Sequence, residues 1–526
     1  HNEDFEHVSQ LLTRFSHVQA HEFNASIRSL GVESKVSEPR ADPISMKWIQ
    51  GLNPQQASAV AAPIQGALLI LAGAGSGKTT VLTRRIAQLI ERFPGDGILA
   101  LTFTKDAALE MEGRLRGLLG ETFPAIRPPW IGTFHSFAFG VIRSGYQGKP
   151  NWSRLGFSRC PSLLEPAERK AWLSGEKKAS GIEAPLEMQR DCLAFDDMVP
   201  LAIRLLSENP DVLADLRLRH PRVLVDEFQD TSRDQLDLVK LLCGTSPRLS
   251  SLFLVGDDDQ AIYGFRGADP GNIGDALAHF PGLRILKLET NYRSSAAIVA
   301  YANAVFRDKP APLRKRLEAG RSLGDAPVRR IAHANGADQG RWMVREMERL
   351  RREEGLAWSG MAVLFRLNAL EPYYRSMLAK LAGPEAAREV VLSTVHAAKG
   401  LEYPAVFFAG LEDGILPYRR GDAKLSPDRE AEELRIFYVG VTRAQRFLYL
   451  CSCRTRFLRG KAVSAAASPF LRAVKPNARP GGSTSPAAAL VPLIRRGGRM
   501  FGFFRIGPRP IDLSSVSHPA RSKEAT

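Results

Sequence analysis

The chain has 526 residues, 44% hydrophobic and 24% charged, an ordinary globular composition with length enough for two to four domains. Its net charge of +16 favours an anionic partner such as nucleic acid, although residues 454–526 hold fourteen Lys and Arg against two acids, Asp512 and Glu524, so most of the excess lies in the tail. No apolar stretch approaches the roughly 20 residues of a membrane span, the opening HNEDFEHVSQ lacks the regions of a signal peptide, and five scattered cysteines offer no C-x-x-C, which together exclude a membrane protein and predict a soluble, cytoplasmic one with reduced thiols.

Residues 1–50 carry no interpretable motif and are set apart as an N-terminal extension; a chain opening on His1 reads as a processed or partial product. The first apolar run, ALLIL (67–71), is followed by AGAGSGKTT (72–80) and then by Val81, Leu82, Ile86, Leu89, Ile90 and Phe93 at helical spacing, until Pro94-Gly95 ends the helix. ILALT (98–102) is a second strand. Residues from about 141 to 195 break the rhythm with Trp152, Trp172 and the polar run GEKKASG, and read as an inserted, mainly helical subdomain. RVLVD (222–226), LFLV (252–255), RILKL (284–288), MAVLF (361–365) and PAVFFAG (404–410) resume the alternation, which argues for an α/β fold of parallel sheets flanked by helices. From 463 the chain turns Pro-, Gly- and Ala-rich, as flexible linkers are, and beyond it LIRRGGRMFGFFRIGPRP reads either as an auxiliary nucleic-acid contact or as a solvated basic extension.

Three stretches carry chemistry. The first, AGAGSGKTT, sits between a strand and a helix and fits G-x-x-x-x-G-K-[ST] except for Ala72 at the leading glycine. Its residues Ala72, Gly73, Ala74, Gly75, Ser76, Gly77, Lys78, Thr79 and Thr80 are the expected ATP contacts. Backbone N–H groups curl around phosphate oxygens, Lys78 neutralises the β and γ phosphates, and the Thr79 hydroxyl binds Mg²⁺. The second, RVLVDEFQD (222–230), places Asp226 at a strand end to hold Mg²⁺ and Glu227 to orient and deprotonate the attacking water. The third, VGDDDQAIYGFRGA (255–268), puts carboxylates and an amide suited to a phosphate and its metal a few residues from an aromatic and arginine cluster suited to bases and phosphodiester.

In order, LNPQQ (52–56), AGAGSGKT, ALTFT (100–104), IGTFH (131–135), LVDEFQD, VGDDDQAIYGFRGA, LETNYRS (288–294), TVHAAKGLEYP (394–404) and EELRIFYVGVTRA (432–444) resemble the motifs of UvrD/Rep/PcrA-type superfamily 1 DNA helicases, over about residues 50–475. The resemblance implies two RecA-like P-loop domains with ATP at their interface. It makes Gln56 the reader of the adenine edge, Tyr292 the ring stacked on that base, and Glu402 the acceptor for the ribose. Gln260 becomes the γ-phosphate sensor, and Arg293 and Arg443 the arginine fingers, joining Lys78 and Glu227 in catalysis. Asp257 to Gln260 would face the nucleotide, while Tyr263, Phe265 and Arg266 would face single-stranded DNA together with Phe103, Thr133, His135 and His396.

The departures matter too. Thr80 stands where close relatives often carry arginine, Lys105-Asp106 replaces a usual Asn-Lys, and Phe265 a usual tryptophan. Between VLFRLNA (363–369) and VVLSTVHAAKG, where the family carries an accessory domain, only residues 370–389 intervene, room for one helix and a turn. The domain reading is therefore 51–282 for the first motor domain with a reduced helical insertion, 283–460 for the second without its large insertion, and 461–526 for the tail. The resemblance implies an ATP- and Mg²⁺-dependent 3′ to 5′ helicase or translocase on single-stranded DNA and its junctions with duplex, in DNA repair or replication, with protein partners open. The alternatives are a translocase that does not unwind, or an ATP-gated DNA-binding subunit of a larger assembly. A fused nuclease is disfavoured, because the tail offers no carboxylate cluster.

Overall fold

The computed structural model describes residues 46–120, 128–164, 191–244, 251–280, 282–306, 313–419, 424–458 and 461–473. Its first sheet consists of β1 (Ala67–Ala72), β2 (Ile98–Thr102), β3 (Trp130–Thr133), β4 (Arg222–Val225), β5 (Ser251–Gly256) and β6 (Arg284–Leu288), all parallel, in the order β6-β1-β5-β4-β2-β3. Every residue of β1, β2 and β5 is buried, as expected of strands covered on both faces. Leu68, Ile70, Phe253 and Val255 point to one face, under the helices Pro54–Ala61, Lys78–Arg92 and Lys105–Leu119. Leu69, Leu71, Leu252 and Leu254 point to the other, against Phe134–Arg143, Met198–Glu208 and Arg233–Cys243. Burying each of these side chains contributes about 1.5–3 kcal/mol against the chain's lost entropy.

The strand order matters more than the strand count. β1, β5 and β4 are neighbours, so the loops after residues 72, 256 and 225 open side by side on the carboxyl edge, where open parallel sheets bind ligands. β2 and β3 continue that edge, with Thr102 level with Thr133, and bring Phe103 and His135 to its other half.

The second sheet holds β7 (Arg329–Asn335), β8 (Met361–Phe365), β9 (Val391–Thr394), β10 (Tyr403–Phe408) and β11 (Ala444–Leu458), parallel in the order β7-β11-β10-β8-β9, with β12 (Lys461–Ser464) antiparallel to the end of β11. The helices Ala296–Val305 and Pro427–Val441 cover one face and Gly336–Glu354, Glu371–Leu381 and Pro384–Glu389 the other. Residues 370–389 thus form two short helices rather than one helix and a turn, seated by buried Tyr374, Met377, Leu378 and Ala386.

Several boundaries differ from the sequence expectation. RILKL, assigned to the second domain by a boundary at 282/283, is β6 and pairs with β1 from Leu68↔Arg284 to Ala72↔Leu288, so the first sheet closes at Leu288. The second domain does not end at 460: β12 and the helix Pro469–Ala473 follow, and Phe470 and Leu471 are buried in its core. Trp48, within the supposed extension, is buried against the first sheet's helices. The insertion at 141–195 is not mainly helical in its described part. A hairpin pairs Gly145–Tyr146 with Lys149–Pro150, and Ser162–Leu164 pairs with Cys192–Ala194, around the single short helix Asn151–Arg154; residues 165–190, like 1–45 and the basic stretch 474–526, lie outside the described residues. Among the described residues no helix is long and apolar enough to cross a membrane.

Candidate nucleotide and nucleic-acid site

The loop after β1 is anchored at both ends. The Gly73 amide donates to the Leu288 carbonyl (3.0 Å), the Ser76 hydroxyl to the Gly73 carbonyl (2.7 Å), and Gly77 precedes the helix Lys78–Arg92 with φ +80°. Gly75, with φ +66°, passes so close to the second domain's lead-in that an added Cβ would lie 2.6 Å from Cβ of Arg293. Ala72, in place of the usual leading glycine, is simply the buried last residue of β1. At the helix start Lys78 Nζ donates to Glu227 Oε2 at 3.0 Å. Burial opposes the lysine's charge, yet Glu227, Asp257 and Asp226 outweigh it and raise its pKa. Thr79 and Thr80 follow in the first turn, half-buried.

β4 ends one residue before Asp226, whose amide donates to the Leu101 carbonyl at 2.9 Å. Glu227 then adopts φ +47°, ψ +44°, a left-handed conformation unfavourable for a residue with a Cβ. That bend lets its amide donate to Asp226 Oδ1 (2.9 Å) while its carboxylate turns to Lys78 and to Gln229 Nε2 (2.6 Å). Burial and the charge of Glu227 push the Asp226 carboxyl above its usual range. Burial acts the same way on Glu227, but Lys78 and Lys399 overcome it and hold Glu227 low. A buried acid next to a like charge is a fitting donor for a divalent cation, which relieves the repulsion. The Asp257-Asp258-Asp259 cluster is not such a site: the ammonium of Lys315 already lies among its carboxylates, 3.0 Å from Asp257 Oδ1 and from Asp259 Oδ2 and in an ion pair with Asp258.

From Glu227 a run of hydrogen bonds crosses the site. Gln229 Nε2 donates to Glu227, Gln229 Oε1 accepts from the Asp257 amide (2.8 Å), Asp257 Oδ2 accepts from Gln260 Nε2 (2.5 Å), and Gln260 Oε1 accepts from Arg443 Nη2 (2.9 Å). Arg443 immediately precedes β11 and also donates to the carbonyls of Val439 and Leu401. Burial lowers its pKa to about 9, with Arg293 adding to the effect, so it remains charged at neutral pH. The segment between the sheets lies on the phosphate loop: the Tyr292 amide donates to the Gly75 carbonyl and Asn291 Nδ2 to that of Ala74, while Ser294 Oγ donates to Ala444 of the second domain.

Two expected nucleotide contacts are otherwise engaged. Gln56 Nε2 donates to the Ser76 carbonyl (2.9 Å), and its Oε1 accepts from the Asn53 amide (3.2 Å) as half of a reciprocal helix cap, so its amide orders the phosphate loop. Glu402 Oε2 accepts from Arg293 Nε at 2.5 Å and Oε1 from Gln445, tying together the ribose acceptor and the arginine finger. Tyr292 accepts through its hydroxyl from Asn53 Nδ2 at 2.7 Å.

The aromatic residues assemble on the same loop's far side. Phe103 stacks on Tyr263 (centroids 5.2 Å apart, 17° between planes), Phe265 meets His396 edge-on at 5.3 Å, and Arg266 lies over both Tyr263 and Phe265. Phe265 is 57% exposed, an unusual position for a ring held by its neighbours. Burial, with Arg366, Lys399 and Arg266, lowers His396 to about 4, so the imidazole is neutral. His135 does not join this group in the described contacts; it stacks on Phe195 at 3.9 Å, and Thr133 uses its hydroxyl to cap His135's helix.

Phe195, Lys399, Arg435 and Lys315 are absent from the sequence reading's site. Phe195 falls in the supposed insertion. Lys399, in TVHAAKGLEYP, donates to Asp230 Oδ2 (2.5 Å) and the Gln260 carbonyl (2.7 Å) and lies over the Tyr263 ring; Arg435 donates to the Ala261 carbonyl (2.6 Å).

The UvrD/REP helicase N-terminal domain family matches residues 52–160 and 176–281, and the UvrD-like helicase C-terminal domain family residues 377–455. The chain is 31% identical over 453 residues to a probable DNA helicase of Mycoplasma pneumoniae, covering 77% of this chain and 84% of that protein. It is 32% identical over 368 residues to the ATP-dependent DNA helicase PcrA of Staphylococcus epidermidis and 33% over 361 residues to DNA helicase II of Escherichia coli, each match covering 61% of this chain. It spans about half the length of these last two relatives, 48% and 49%.

Proposed function

Because the chain belongs to the UvrD/REP helicase family, we propose that it is an ATP-driven motor that moves 3′ to 5′ on single-stranded DNA and separates strands at its junctions with duplex. The observation that supports this most directly is the unbroken run from Lys78 through Glu227, Gln229, Asp257 and Gln260 to Arg443, in which Gln260 lies three residues before Tyr263. A triphosphate in the loop 73–79 draws Lys78 from Glu227. The freed carboxylate, low in pKa but facing a water polarised by the γ-phosphate, takes that water's proton as the phosphoryl group departs. Asp226 and Thr79 are the residues that would hold Mg²⁺, which would supply positive charge to the departing phosphoryl group. Gln260 and Arg443 move together because they are bonded to each other, and Arg293 must exchange Glu402 for phosphate to act as a second finger. Tyr292 stacks on the base. With Gln56 committed to the loop, base recognition rests mainly on stacking.

The aromatic group then grips DNA. Phe265, Phe103, Tyr263, Arg266 and His396 offer ring faces and a cation, the means of sequence-tolerant binding to single strands, with His135 and Thr133 further along the same edge. DNA repair or replication in the cytoplasm is the setting this activity suits. A second reading, translocation without unwinding, is favoured by one feature: two short helices at 370–389 stand where an accessory domain is inserted in relatives of this type. The test is ATP hydrolysis with and without oligo-dT beside Glu227→Gln, with unwinding of a 3′-tailed duplex followed in the same tubes. Stimulated hydrolysis and unwinding, both lost in the variant, support the helicase; stimulated hydrolysis without unwinding supports the translocase; no stimulation refutes both.

A further inference from the structure

The Lys315 side chain is 1% exposed and carries three donors into a ring of three acids. Those acids are consecutive, so a single ammonium bridges three successive residues, 257–259. The Asp259 amide donates to Asp257 Oδ1 (3.2 Å), the Gln260 amide to the Asp257 carbonyl (2.8 Å), and Asp257 Oδ2 holds the Gln260 side chain. The segment carrying Lys315 is itself fastened on two sides. Lys287 Nζ donates to the Arg314 carbonyl, and the Arg316 amide to Glu289 Oε1, both partners lying at or just after β6 of the first sheet. The Leu317 amide and carbonyl bond Asn303 (2.8 Å each), on the helix Ala296–Val305 packed in the second domain's core. From the opposite side Arg443, Lys399 and Arg435, all of the second domain, hold Gln260 and Ala261.

We propose that Lys315 is a positioning residue that locks the turn Asp257–Gln260, so that the Gln260 amide is presented to the nucleotide in register with the aromatic group starting at Tyr263. The assignment rests on the motor reading above and adds the element that couples its two ligands. Its consequence concerns turnover rather than ATP binding: the phosphate loop, Lys78 and Asp226 are held by other contacts, whereas Gln260 loses its orientation when Asp257 and Asp259 are no longer bridged. Three carboxylates left without the ammonium would also repel one another and open the turn. Asp257, Asp258 and Asp259 raise the pKa of Lys315 against the effect of burial, so the bridging group is the charged ammonium.

The experiment measures kcat and KM for ATP, with and without oligo-dT, in the unaltered chain, in Lys315→Met, and in Lys315→Met/Asp258→Asn, which restores the cluster's original net charge without restoring the bridge. The expected result is that both variants keep KM for ATP within about threefold while stimulation by DNA falls about tenfold or more, in the usual range of coupling between sites. Stimulation that survives in Lys315→Met overturns the assignment. So does its return in the double variant, because the lysine would then act only as a counter-charge. If the single variant does not fold, the charge-balanced one decides in the same way. Failure of the unaltered chain to respond to DNA overturns the motor reading itself, a separate outcome.

Discussion

Truncating Phe265 to alanine separates binding from folding more cleanly than any other change in the site. The ring is 57% exposed, so less than half of its surface contributes to the folded core. What it loses on the protein side is an edge-on contact with His396 at 5.3 Å, a looser one with Tyr263 at 6.0 Å and the Arg266 guanidinium over its face, each worth about 0.5–1.5 kcal/mol at most. What it loses on the DNA side is one stacked base, about 1–3 kcal/mol, or a 5- to 150-fold rise in Kd. Phe228→Ala is the control. Phe228 is fully buried beside the acidic pair, so its truncation costs about 3–5 kcal/mol of stability. Fluorescence anisotropy with labelled oligo-dT, read beside urea unfolding of both variants, distinguishes the two cases. Phe265→Ala should bind DNA at least fivefold more weakly, unfold at nearly the original urea concentration and keep its KM for ATP. A Phe265→Ala protein that is destabilised like the core variant and binds DNA normally would refute the platform and return Phe265 to a packing role.

Gly75→Ala forces a Cβ to within 2.6 Å of Arg293 on a backbone at φ +66°, and should weaken ATP binding at least tenfold by equilibrium titration while leaving DNA binding in the absence of nucleotide unchanged. His396 binds its proton with a pKa of about 4 when folded, against about 6.5 unfolded. The unfolded chain therefore takes up the proton first, and the stability this group contributes is complete above about pH 6.5 and lost as pH falls towards 4. Tm measured across that window should drop less steeply in His396→Gln than in the unaltered chain. The buried pair Glu412–Arg456, joined by bonds of 2.9 and 2.8 Å and braced by Tyr374 and Gln339, predicts a loss of about 3–5 kcal/mol in Arg456→Met by urea unfolding, with less harm when both partners become apolar.

Much of this site is legible without coordinates, for a specific physical reason. A strand covered on both faces must be an unbroken apolar run, so ALLIL, RVLV and LFLV declare themselves, and the polar residues that follow each must gather where the strands end. What that logic does not contain is partner choice. RILKL reads as a strand in either domain, and only its pairing with β1 assigns it to the first. Gln56 has an amide able to read a base, but the Asn three residues earlier engages its Oε1 as a local cap and the Ser76 carbonyl, twenty residues on in the phosphate loop, takes its Nε2; only the first of these is readable along the chain. Lys315 sits in PLRKRL, a pattern normally solvated, and its three acids lie 56 to 58 residues before it in sequence, with nothing in either stretch to announce the other. His135 and Phe195 meet face to face across sixty positions because helix Phe134–Arg143 and the short turn Phe195–Asp197 both pack on Met198–Glu208, a tertiary fact with no local pattern.

The crossing between the two sheets, residues 289–295, rests directly on the loop that follows β1 through Gly75 and Ala74. Should one sheet turn against the other, the pivot therefore lies beside that loop, and the contacts of Lys399, Arg435 and Arg443 with Gln260 and Ala261 must shift with the turn. On the proposed motor reading, a substitution that softens this crossing should alter how far the sheets turn against each other without altering the chemistry.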